Sequence, residues 1–66
     1  MTRKILNRLP EKVTTTLDMW NDRYHDDRLN QDITRAEIRG YVKGLADAGL
    51  LKTDLEFRII FGYATL

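Results

Sequence analysis

Residues 33–50 constrain this chain most, because their side chains spell both ends of one helix. Thr34 and Glu37 have the spacing of a capping box, in which each side chain satisfies a backbone amide of the other's turn. Ile33 before the cap and Ile38 after it stand at hydrophobic-staple positions. At the far end Gly49 can take the left-handed conformation that closes a helix, letting Leu50 fold back onto Leu45. The spacing therefore predicts a helix over about residues 35–48. Within it Ala36, Gly40, Gly44 and Ala48 recur every fourth residue. Each interior glycine costs about 1 kcal/mol relative to alanine. Such a row predicts a close approach, either of Trp20 and Tyr24 within the chain or of a second backbone in a dimer.

Pro10, the only proline, disfavours a helical Leu9 and suits the first turn of a helix starting near Glu11. Val13, Leu17, Trp20 and Tyr24 then form one apolar stripe, which predicts a helix over about residues 11–26. Residues 25–33 are polar apart from Leu29 and Ile33 and read as a connection. Leu55, Phe57, Ile59 and Phe61 alternate with other residues, the period of a half-buried strand, and predict a strand over about 54–61. Thr53 and Glu56 also fit a capping box, so a third helix competes with that strand. Residues 3–9 read as a short strand or as a helical turn carrying Ile5, Leu6 and Leu9. The expected fold is α+β, with two amphipathic helices, a C-terminal strand and a short N-terminal strand. An all-α three-helix domain is the alternative.

At 66 residues the chain makes a single domain, 1–66. Domains below ~70–80 residues usually need a staple or a partner. With no cysteine, disulfide and thiolate-metal staples are excluded, and a homodimer is the expected solution. The missing cysteines fit a reducing, cytoplasmic setting. No apolar run approaches the ~18 residues of a membrane span, and Met1–Arg8 lacks the apolar stretch of a signal peptide. No membrane association is expected.

Charged residues are 32% of the chain, yet the net charge is only +1. That balance argues against an indiscriminate nucleic-acid binder. The charge is segregated, however. Arg3, Lys4, Arg8 and Lys12 make the start basic, Asp18, Asp22, Asp26 and Asp27 make the middle acidic, and Arg35, Arg39 and Lys43 form a basic ridge.

Little points to catalysis. The chain has no serine or cysteine nucleophile. His25, the only histidine, lies among Asp22, Asp26 and Asp27, but one helical turn cannot complete a metal shell. The row Asp18, Asp22, Asp26 reads as a solvated face. No glycine-rich phosphate loop follows a strand. No enzymatic activity, cofactor or metal is expected. The ridge Arg35, Arg39, Lys43 reads either as a solvated face or as a phosphate contact assisted by a helix start at Thr34.

A basic segment ending in Leu9-Pro10-Glu11, an amphipathic helix, and a second helix opening with Thr34-Arg35-Ala36-Glu37-Ile38-Arg39 stand in a familiar order. Over residues 3–49 the chain resembles the ribbon-helix-helix family of dimeric DNA-binding repressors and antitoxins. The resemblance implies paired N-terminal strands entering the major groove of double-stranded DNA. It would aim Lys4, Leu6 and Arg8 at the bases, turn Ile5, Asn7 and Leu9 inward, and set Thr34 and Arg35 against the phosphate backbone. Arg3, Lys4, Arg8, Thr34, Arg35 and Arg39 are then the candidate DNA contacts. Ala36, Gly40, Gly44, Ala48, Trp20, Phe57, Ile59 and Phe61 are the candidate packing or interface residues. The expected function is a small dimeric DNA-binding regulator. The alternative is a non-enzymatic protein-binding module, an inhibitor or adaptor, docking through a helix face or an exposed C-terminal strand.

Overall fold

A computed structural model describes residues 1–66. The chain folds into four helices, α1 (Thr2–Arg8), α2 (Glu11–Asp26), α3 (Gln31–Asp47) and α4 (Asp54–Ala64), with a short 3-10 turn (Arg28–Asn30) ahead of α3. There is no strand, so the expected α+β fold is corrected to an all-helical one at both ends of the chain.

The first correction is α1. Ile5 and Leu9 are both buried, and a helical turn brings them to one side where a strand would have placed Asn7 between them. Leu9 is extended (φ −78°, ψ 149°) as a residue before proline prefers. Pro10 then caps α2, which covers the residues predicted for it. Leu17 is fully buried, and Val13, Trp20 and Tyr24 pack at the core's edge.

The second correction is α4. The Thr53 hydroxyl accepts from the Glu56 amide at 3.1 Å, so the cap that competed with the strand is the feature that forms. The Glu56 carboxylate accepts from the Lys52 amide at 2.9 Å, one residue before the partner of a standard box. A helix over these residues is apolar nearly all round, and the packing explains why that is tolerated: α4 touches α1, α2 and α3. Ile60 and Ala64 are buried at the centre, while Phe57, Ile59, Phe61 and Tyr63 pack around it. A helix covered on three sides does not need a polar face.

α3 starts earlier than predicted, at Gln31. Thr34 is therefore no cap. It lies buried in the first turn, and the staple partner Ile33 is 60% exposed. The C-terminus forms as predicted. Gly49 has φ +81°, the Leu50 amide donates to the Leu45 carbonyl at 2.9 Å, and the Gly49 amide donates to the Ala46 carbonyl at 3.0 Å, which is the Schellman pattern. Ile38, Val42 and Leu45 from α3 join Ile5, Leu9, Leu17, Leu51, Ile60 and Ala64 in one core.

Candidate functional site: the basic groove between α3 and α4

Three basic residues at four-residue spacing run along one edge of α3. Arg35, Arg39 and Lys43 are exposed and stand about 6 Å apart along the axis. α4 lies alongside and presents Phe57 and Phe61, one turn apart, whose rings stack at 6.2 Å with 8° between planes. The guanidinium carbons of Arg35 and Arg39 sit 5.4 Å and 5.3 Å from the centre of the Phe61 ring. A guanidinium resting on a ring keeps its N–H edge available for a carboxylate or phosphate.

The same surface continues to the residues that open α4. Arg39, Lys43, Lys52, Thr53 and Asp54 line a cavity of about 410 Å³ together with Ala46, Leu51 and Phe57. A second hollow along the ridge is formed by Asp32, Arg35, Ala36 and Arg39. The only ion pair in the structure joins Arg8 to Glu56, so Arg35, Arg39, Lys43 and Lys52 have no carboxylate within ion-pairing distance. An anionic partner that meets them breaks no ion pair within the fold and can form charge-assisted hydrogen bonds with them.

The structure unites some of the predicted site residues and separates others. Arg35 and Arg39, candidate DNA contacts, meet Phe61, a candidate packing residue. Arg3 and Lys4 are exposed on α1, a helix and not a ribbon strand. Arg8 is engaged with Glu56 and, at 3.4 Å, with the Leu50 carbonyl. Thr34 is buried and faces no ligand. The row Ala36, Gly40, Gly44, Ala48 faces outward, and a Cβ added to Gly40 or Gly44 would meet nothing within 4 Å. The close approach of Trp20 and Tyr24 to this row is thus not made within the chain. Trp20 instead packs against the core, with the Arg23 guanidinium 5.5 Å from its ring. Ile59 lies at the core's edge.

Sequence reasoning missed Lys52. The signal was the Thr53–Glu56 cap: read as the start of a helix, it turns Lys52 toward the groove mouth. The acidic row on α2 is exposed, and the Tyr63 hydroxyl donates to Asp18. That bond, with partial burial, holds the Tyr63 phenol above its ordinary 10.0. Asp22 and Asp26 have no such partner. No three carboxylate or imidazole groups converge to hold a metal ion, and no helix is long and apolar enough to cross a membrane. No protein-family model, curated protein or solved structure matches the chain.

Proposed function

We propose that this chain is a non-enzymatic protein-binding module whose α3–α4 groove docks an acidic, amphipathic helical segment. One observation carries the reading: Arg39, Lys43 and Lys52 line a recess with Leu51 and Phe57, Arg35 continues the basic ridge beside Phe61, and no carboxylate of the chain forms an ion pair with any of the four. Arginine and aromatic residues around a small apolar centre are the composition of an interaction hot spot. A helix laid in a groove anchors by apolar side chains and is flanked by charge. Carboxylates every fourth residue on such a helix repeat at about 6 Å, the spacing of the basic ridge. The net charge of only +1, without the basic excess usual for a nucleic-acid binder, favours a protein partner over double-stranded DNA.

The test is fluorescence anisotropy with a labelled peptide helix carrying glutamates along one edge and leucines beside them. A control peptide has lysine for glutamate, and a random DNA duplex is titrated in parallel. The acidic peptide should bind, the basic one should not, and Arg39→Glu/Lys43→Glu should weaken binding about a hundredfold, since like charges in contact cost several kcal/mol. Tighter binding to the duplex, with a steep salt dependence, would replace this reading by the DNA-binding one. Binding to none of the three would retire the groove.

A further inference from the structure

The groove has a matching surface on its own chain. α2 carries Asp18, Asp22 and Asp26 at the same four-residue interval as Arg35, Arg39 and Lys43. Both rows therefore repeat every ~6 Å along their helices. Beside the acidic row stands Met19, an apolar side chain left 62% exposed. The groove offers the complement: an apolar recess about 410 Å³ in volume, rimmed by Arg39, Lys43 and Lys52. Methionine is unbranched and adapts to irregular recesses of this kind.

Neither surface is satisfied inside one copy. The sole ion pair, Arg8 with Glu56, belongs to neither. Asp18 accepts from Tyr63, but Asp22 and Asp26 engage no cation. Lys12 and Arg23 border the stripe on the side of Met19 away from the aspartates, as Asp32 and Asp54 border the basic surface. Each surface thus has a predominant charge with a minority of the opposite sign at its margin. The core is also small, nine buried apolar residues with no covalent or metal staple, a size at which association commonly supplies the missing burial.

We propose that the acidic helical segment received by the groove is α2 of a second copy of this chain, with Met19 entering the recess and Asp22 and Asp26 meeting the Arg39–Lys43 ridge. This rests on the groove reading above and names its occupant. The contact joins two different surfaces, so each copy both gives and receives. The assembly either closes by exchanging both contacts or propagates head to tail.

The experiment is sedimentation of the full chain over a concentration series at low and high salt, with two charge reversals. Arg39→Glu/Lys43→Glu makes the groove acidic, and Asp22→Lys/Asp26→Lys makes the α2 face basic. The wild type should associate, and more weakly at high salt. Each variant alone should be monomeric, its dissociation constant raised about a hundredfold or more. An equimolar mixture of the two should associate again, because both contacts in the mixed pair are complementary. Circular dichroism establishes that each variant is folded. If a double variant unfolds, Lys43→Glu and Asp22→Lys carry the same test. A wild type that associates while the mixture stays monomeric, or variants that associate alone, would overturn the proposal and place the contact elsewhere. A strictly monomeric wild type that still binds the acidic peptide would overturn the self-docking and leave the groove reading standing. A monomeric wild type that binds no peptide would overturn both.

Discussion

Arg8, the last residue of α1, donates to Glu56 in the first turn of α4, a partner 48 positions away in the chain. The same carboxylate accepts from the Lys52 amide, and the same guanidinium reaches the Leu50 carbonyl. One acidic side chain therefore joins α1, the α3–α4 connection and the start of α4. Arg8 binds the fold together and is not available to a ligand in the way Arg39 and Lys43 are.

This contact makes a pH prediction. The Arg8 hydrogen bond, followed by that of the Lys52 amide, holds the Glu56 carboxyl below its ordinary 4.5. A depressed carboxylate contributes stability that is full above the unfolded value and lost as pH falls through the folded one. Thermal melts should therefore show acid destabilisation setting in below about pH 4.5. Glu56→Gln should be less stable than wild type at neutral pH and should lose less on acidification. Parallel pH profiles for the two proteins would mean that Glu56 does not tie α1 to α4.

The glycines of α3 should separate by backbone conformation. Gly40 and Gly44 are exposed with open space where a Cβ would stand, so alanine at either should stabilise a monomer by about 1 kcal/mol through helix propensity. Gly49 has φ +81°, and alanine there should destabilise by about 1 kcal/mol or more. Urea denaturation measures all three. Destabilisation by Gly44→Ala in the assembled protein, absent in a monomeric charge variant, would instead mark that flank of α3 as a contact between copies.

α4 should behave as a core element. Ile60 is fully buried, so Ile60→Ala should cost about 2–5 kcal/mol, enough to unfold much of a domain this small. Leu55, exposed on the same helix, should tolerate alanine within about 0.5 kcal/mol. Calorimetry measures both, and equal costs at the two positions would mean that α4 does not turn Ile60 into the core and Leu55 to solvent.

Phe61 should matter to the groove without touching the ligand's charge. Phe61→Leu keeps an apolar side chain but removes the ring under Arg35 and Arg39. Each such contact is worth about 0.5–1 kcal/mol, so losing both should lower affinity for the acidic peptide by roughly fivefold to thirtyfold with little change in salt dependence. Unchanged affinity would mean that the two guanidinium groups need no platform.

Reading the chain as a polymer recovered the parts governed by local chemistry. The extents of α2 and the Gly49 closure of α3 follow from Pro10, the Val13–Tyr24 stripe and the conformational freedom of one glycine. The ends of the chain were misread because their patterns fit two periods. Leu55, Phe57, Ile59 and Phe61 alternate, but Ile60 and Ala64, the residues that the core buries, are four apart. Only knowledge that three other helices surround α4 decides between the two. Thr34 misled for a related reason: its capping chemistry was overridden when burial drew α3 back to Gln31. For the candidate site, the basic ridge was visible at once, whereas its aromatic floor was not, because Phe57 and Phe61 reach it only when α4 is a helix.

The encirclement of α4 also bears on how the molecule opens. Every buried apolar side chain of α1, α2 and α3 belongs to a single cluster completed by Ile60 and Ala64, so removing α4 uncovers the interior that the other three helices share. A single shared core of this kind predicts one cooperative opening rather than separate local ones. Amides in the middle of α2, α3 and α4 should accordingly exchange with solvent at rates set by one common opening event, and a protease should meet either the intact chain or none of its structure.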